Sequence, residues 1–151
     1  MIAKCWRELT TAELYSFLKL RTDVFFVEQH VDDEELDNRD LEPTTRHYWV
    51  ADALGAAAYL RVLVDPRPEH RDADHVVGRV VVRADRRGEG LAQALLARVF
   101  ADYPTQAFLL HAQEYIAPLY AKVGFEAFGE VYPEAGIPHI SMYRPAPPSS
   151  R

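Results

Sequence analysis

The hydrophobic pattern changes period along the chain, and each change marks an element. Val76-Val77-Gly78-Arg79-Val80-Val81-Val82 is an apolar, β-branched run that predicts a strand buried on both faces. A basic, glycine-containing turn follows, Arg86-Arg87-Gly88-Glu89-Gly90. Leu91, Leu95 and Val99, with Ala92, Leu96 and Phe100, then form one apolar stripe at helical spacing. Strand, Gly-turn and helix together make a layout for holding an anion. The first N–H groups of such a helix lack intrahelical partners, and the helix dipole adds partial positive charge there.

The flanking pattern predicts an α/β domain. Lys4 to Leu9 alternates as a first strand. Thr10-Thr11-Ala12-Glu13 has capping-box spacing, and Leu14, Phe17, Leu18, Arg21 and Phe25 recur at helical spacing, so a helix is expected from about Thr11 to Phe25. Arg21 falls on or near its apolar face, either as a snorkelling arginine or bound to an acidic partner or a substrate carboxylate. Thr45–Asp52 and Ala56–Val64 read as a hairpin joined near Leu54-Gly55, and His47 within it as structural. Ala107 to Ala112 is a short strand. Pro118 opens a helix that stops at Gly124, and Phe125–Val131 and Ile137–Tyr143 are the last strands. The tail, 145–151, is expected to be disordered, leaving one domain over 1–144.

Composition narrows the class. The chain has 151 residues, 48% hydrophobic and 26% charged, with a net charge of −6. That balance argues against general nucleic-acid binding, which needs a basic surface. Cys5, the single cysteine, allows no internal disulfide and points to a reducing, cytoplasmic home, where it reads as a small core residue. The first residues do not have the pattern of a signal peptide, and no stretch approaches the roughly 20 apolar residues of a membrane span. Between Asp32 and Glu42 lie seven acidic residues and one base, Arg39. This segment reads as a solvated loop with a short helix, or as an acidic rim that attracts a cationic amine. It lacks the glycine of an EF-hand loop, and no metal is expected.

The basic turn is neither a Walker loop nor a dinucleotide fingerprint. Arg87-Gly88-Glu89-Gly90-Leu91-Ala92 instead resembles the R/Q-x-x-G-x-G/A motif of the GCN5-related N-acetyltransferases (GNAT), and Tyr120-Ala121-Lys122-Val123-Gly124-Phe125 their Y-x-x-x-G-F. Five stretches resemble the ElaA-like GNAT family: Leu20-Arg21 with Val24 to Gln29; Asp37 with Asp40; Gly78-Arg79-Val80; Ala112-Gln113; and Gly136 to His139 before Met142. Nearly the whole chain up to the tail is covered. The resemblance implies a GNAT fold: a mixed, mostly antiparallel central sheet of about seven strands flanked by about four helices.

It also implies acetyl-CoA as acetyl donor. The pyrophosphate would lie on N–H groups of Gly88, Glu89, Gly90, Leu91, Ala92 and Gln93, with Arg87 nearby and the Glu89 side chain turned to solvent. Pantetheine would run along Val80, Val81 and Val82, where an N–H can polarise the thioester carbonyl. Gln113 would contact pantetheine or, on the plainer reading, cap the next helix. Tyr120 would protonate the departing thiolate. Glu28 and His139 would lie on the acceptor side as candidate bases. The expected reaction is direct attack by a primary amine, of a small molecule or a protein, in a monomer or homodimer. Two alternatives stand beside it. One is a non-catalytic acyl-CoA-binding module. The other is an enzyme like the acyl-homoserine-lactone synthases, which Arg21, Val24-Phe25, Glu35, Asp37 and Asp40 loosely resemble; those use S-adenosylmethionine and an acyl carrier, against which the pyrophosphate turn counts.

Overall fold

The computed structural model describes residues 1–148. A seven-stranded sheet runs through it in the order β1-β2-β3-β4-β5-β7-β6. The strands are β1 (Ile2–Cys5), β2 (Arg46–Asp52), β3 (Gly55–Val64), β4 (His75–Val82), β5 (Phe108–Gln113), β6 (Glu126–Glu134) and β7 (Ile137–Arg144). All neighbours pair antiparallel except β4 and β5, which are parallel. Three α-helices accompany the sheet: α1 (Thr11–Arg21), α2 (Leu91–Asp102) and α3 (Ala117–Ala121).

Alternation along the central strands sorts side chains to two faces. Trp49 and Tyr59 pack with Phe17, Leu20 and Val24 on the α1 side. Tyr48, Leu60 and Val62 pack with Leu95, Leu96 and Val99 of α2 and with Tyr120 of α3 on the other. Both faces of β3 are covered, which is why Ala56 to Leu63 are all buried. The expected α2 stripe is the one that meets the sheet.

The first strand stops earlier than its pattern predicts. Trp6–Glu8 form a 3-10 turn, in which the Cys5 N–H and thiol both reach the Glu8 carboxylate, so Cys5 caps a turn and is only half-buried. The Thr10/Glu13 capping box forms as expected, with Glu13 N–H donating to Thr10 Oγ1 and Thr10 N–H to Glu13 Oε1. The first helix departs from its expected end. Its α part closes at Arg21, and Thr22–Glu28 widen into a π-helical segment. Among the described residues three α-helices stand where about four helices were expected; the short helix expected in the acidic segment is a 3-10 turn, Arg39–Leu41.

Strand β4 is also not buried on both faces. His75, Val77 and Val81 are buried, while Gly78 to Val80 and Val82 are half-exposed. At the chain's end, Ala146 packs beside Ala73, Ala107 and Leu109; positions 149–151 of the expected tail lie outside the described residues.

Candidate active site

The half-exposure of β4 has a specific cause. Strands β4 and β5 pair only at His75–Phe108 and Val76–Leu109. Beyond that, Val77 to Val82 and Leu110 to Gln113 line opposite walls of one cavity of about 910 Å³. The two parallel strands therefore splay, and the wedge between them leaves β4 with an unpaired edge. An unpaired strand edge offers N–H and C=O groups to an extended ligand.

The basic turn closes one end of this wedge. Gly88 and Gly90 are left-handed (φ +85° and +77°), a conformation only glycine adopts freely. Gly90 is the N-cap of α2 and offers no side chain; the first intrahelical bond runs from Ala94 N–H to its carbonyl. The leading amides of α2 are thus open to an anion, and Leu91, Ala92 and Gln93 line the cavity with Arg87, Gly88 and Gly90. Glu89 does not line it. Its carboxylate, 45% exposed, accepts from Nε of Arg86, a cavity-lining residue, at 2.8 Å. Arg87 donates from Nε to the Val82 carbonyl and pairs with Glu28.

Of the two readings of Gln113, the structure does not bear out the helix cap. No side-chain bond caps the turn that it precedes. Its Nε2 crosses the wedge and donates to Gln29 Oε1 at 3.0 Å, while its own Oε1 is buried with no partner. A buried, unpaired amide oxygen in a cavity wall is a site for a ligand N–H. Gln29 reaches this position because of the π-helical segment. In an α-helix, residues five apart diverge by about 140°, whereas here Val24 and Gln29 both line the cavity.

Tyr120, 6% exposed, forms part of the same wall, and burial pushes its phenol pKa above the ordinary value. His139 lies opposite Gln113 in the β5–β7 register and also lines the cavity. Its Nδ1 donates to the Ile137 carbonyl at 2.7 Å, which leaves Nε2, 3.3 Å from Glu134 Oε2, as the nitrogen able to exchange a proton. Glu134 sits on the tight β6–β7 turn with left-handed Ala135 and Gly136. Asp33 and Glu34 line the cavity as well. The expected site residues thus gather round one cavity, with Glu89 beside it. Glu134 was missed, since a turn carboxylate carries no sequence signal of its own, and Arg79 belongs to the Gly78-Arg79-Val80 stretch without a role attached to it.

The acidic segment is only partly the expected solvated loop: Asp32, Asp33 and Glu34 are exposed and Arg39–Leu41 form a short 3-10 helix. Glu35, Asp37 and Asp40 turn inward onto Arg21, Arg61 and Arg79, three carboxylates on three guanidinium groups. Arg21 is fully buried and donates to Glu35 Oε2 (2.7 Å) and to Asp40 (2.8 and 3.2 Å). Its acidic-partner reading holds, and its partners belong to the protein. Burial opposes the Arg21 charge, but the Tyr59 oxygen, Asp40 and Glu35 outweigh it and raise the pKa. Burial likewise opposes ionised Asp37 and Asp40, and the arginines outweigh it, holding both carboxyls below their ordinary values. His47 is structural, as expected. Nε2–H donates to the Asp40 carbonyl, Nδ1 accepts from Tyr59, and burial lowers its pKa.

These features have counterparts in known proteins. A family model described as an acetyltransferase (GNAT) domain matches residues 12–144. Protein ElaA of Escherichia coli is 36% identical over 143 residues, 91% of this chain and 90% of ElaA. Its crystal structure superposes with a TM-score of 0.84 at 33% identity, covering 95% and 97% of the two chains. An acyl-CoA N-acyltransferase from Pseudomonas aeruginosa gives the same TM-score at 38% identity and the same coverage. At 18% identity, a CoA-dependent acyl-homoserine lactone synthase, BjaI, shares the fold alone, with a TM-score of 0.76 over 93% of this chain and 80% of BjaI. A wedge between parallel strands, an uncapped helix over a Gly-turn and this degree of likeness lead to one assignment: the chain belongs to the ElaA-like family of GNAT acetyltransferases.

Proposed function

We propose that the protein is an acetyl-CoA-dependent N-acetyltransferase acting on a primary amine of a small molecule or protein, in the cytoplasm. The observation that carries this reading is one cavity lined together by the free edge of β4, the Gly-turn with the open N-terminus of α2, and Gln113, whose Oε1 has no partner. A pantetheine arm has amide N–H groups for Gln113 and for the β4 edge, and in CoA that arm is joined to the adenosine part by the pyrophosphate that the cradle suits. The residues present therefore fit this donor. Val80 to Val82 hold the arm, and Gly88 to Gln93 with Arg87 hold the pyrophosphate.

Bound acetyl-CoA supplies an acetyl group as a thioester, from which the amine forms a C–N bond as the C–S bond breaks. His139 Nε2 takes the proton that the amine loses, and Glu134 Oε2, 3.3 Å from that same nitrogen, pairs with the imidazolium so formed. Tyr120, kept protonated by burial, gives a proton to the departing sulfur and regains one from solvent. Asp33 and Glu34 give the acceptor end negative charge, which favours a cationic amine, whereas Glu28 is paired with Arg87 of the cradle.

The test is calorimetric titration with acetyl-CoA, followed by an assay of released thiol over amines, polyamines and peptides. Binding with thiol release supports the reading. Binding with no release over the whole panel leaves an acyl-CoA-binding module. Because BjaI is CoA-dependent, CoA binding alone does not separate the synthase alternative. S-adenosylmethionine-dependent thiol release does, and would replace the amine reading.

A further inference from the structure

Strand β4 contains an irregularity where the thioester would lie. Arg61 is opposite Gly78 and Tyr59 is opposite Val81, so Arg79 and Val80 together face Leu60 alone. This is a β-bulge, which bends a strand and re-aims its groups. Arg79 takes the bulged conformation at φ +54°, in the left-handed region that long side chains rarely occupy. Something must hold it there.

Its side chain shows what does. Arg79 Nε donates to Glu35 Oε2 at 2.8 Å, and Nη2 donates to the Glu35 carbonyl at 3.2 Å. Glu35 is fixed from behind by fully buried Arg21, which donates to the same two oxygens. The two residues before Glu35 line the acceptor end of the cavity. Glu35, with Asp37 Oδ2 a more distant partner of Arg79 at 3.5 Å, therefore ties the bulge, which sets the Val80–Val82 edge, to the acidic loop.

We propose that Arg79 and Glu35 are positioning residues: their pairing holds the β4 bulge so that a free N–H of the Val80–Val82 edge meets the thioester carbonyl, in register with the acceptor loop. The inference rests on the acetyl-CoA reading above. Neither side chain need touch the reacting atoms. Their effect passes through the backbone, and small misplacements of reacting groups are costly in rate.

The experiment is isotope-edited infrared spectroscopy of carbonyl-labelled acetyl-CoA bound to the wild-type protein and to two variants. A hydrogen bond to the carbonyl lowers its stretching frequency. Glu35→Gln removes the charge of the clamp. Arg79→Gly cuts it from the other side while suiting the left-handed backbone, so a loss there cannot be put down to strain. Circular dichroism checks the fold, and calorimetry checks acetyl-CoA binding. The wild-type band is expected below that of free acetyl-CoA. In both variants it should shift back and broaden, with thiol release falling about tenfold or more. A wild-type band retained by either folded variant overturns the proposal. A wild-type protein that binds no acetyl-CoA overturns the reading of the site itself. A wild-type protein that binds it with an unshifted band overturns the positioning role alone.

Discussion

Glu28 and Arg87, 59 residues apart in the chain, meet at the edge of the cavity as a two-bonded ion pair, with both N–O distances at 2.9 Å. One comes from the end of the π-helical segment and the other from the cradle turn. Their side chains are 42% and 43% exposed, so the pair contributes little to stability, about 0–1 kcal/mol. A pyrophosphate in the cradle would compete with Glu28 for this guanidinium. Glu28→Gln is expected to tighten CoA binding several-fold and Arg87→Ala to weaken it about tenfold, on the scale of one charge-assisted contact. In the double variant the Glu28 change should have no further effect. Calorimetric Kd values for the four proteins check this, and equal Glu28 effects with and without Arg87 would count against the competition.

Tyr120→Phe should leave acetyl-CoA affinity nearly unchanged and lower the rate of thiol release by about a hundredfold or more, the usual contribution of a placed acid. The side chain is buried against the core, so the variant keeps its packing. Unchanged turnover in steady-state kinetics would remove Tyr120 from the acid role.

Gln113→Ala should weaken acetyl-CoA about five- to thirtyfold, since it removes both the unpaired Oε1 and the bond that holds Gln29. Binding of inorganic pyrophosphate, which needs only the cradle, should not change. Titration with each ligand separates the two. A parallel loss of pyrophosphate affinity would mean that Gln113 acts through the fold.

Stability should fall with acid in two stages. The folded pKa of His47 is lowered, so the unfolded chain binds more protons once the pH drops through about 6.5. Asp37 and Asp40 are also lowered when folded, so their contribution is complete above about pH 3.9 and is lost as the pH falls below it. Melting temperature against pH should show both descents, and His47→Asn should remove the first. Asp40→Asn should cost about 3–5 kcal/mol at neutral pH, because it strips a carboxylate from two buried arginines. A flat melting curve between pH 8 and 5 would refute the His47 stage.

The sequence by itself determined the elements, their order and the cofactor cradle. Each rests on contacts close in the chain: the Thr10/Glu13 box, the α2 stripe, and the left-handed Gly88 and Gly90 before an uncapped helix. The family motifs then named the fold and implied a donor. Only the tertiary structure decided which charges are paired. In the sequence Arg21 reads as either a snorkelling side chain or one bound to a carboxylate, and the Asp32–Glu42 segment as either a solvated loop or an acidic rim, because neither shows its partner locally. The ion cluster forms across 14 to 44 residues of chain, and its net charge cancels only in three dimensions. The splay of β4 from β5 was equally hidden, because an apolar run looks the same whether its second face meets a helix or a ligand. The Gln113–Gln29 bridge and the bulge at Arg79 depend on strand divergence and a widened helical turn. These are properties of how elements meet, which hydrophobic periodicity does not encode.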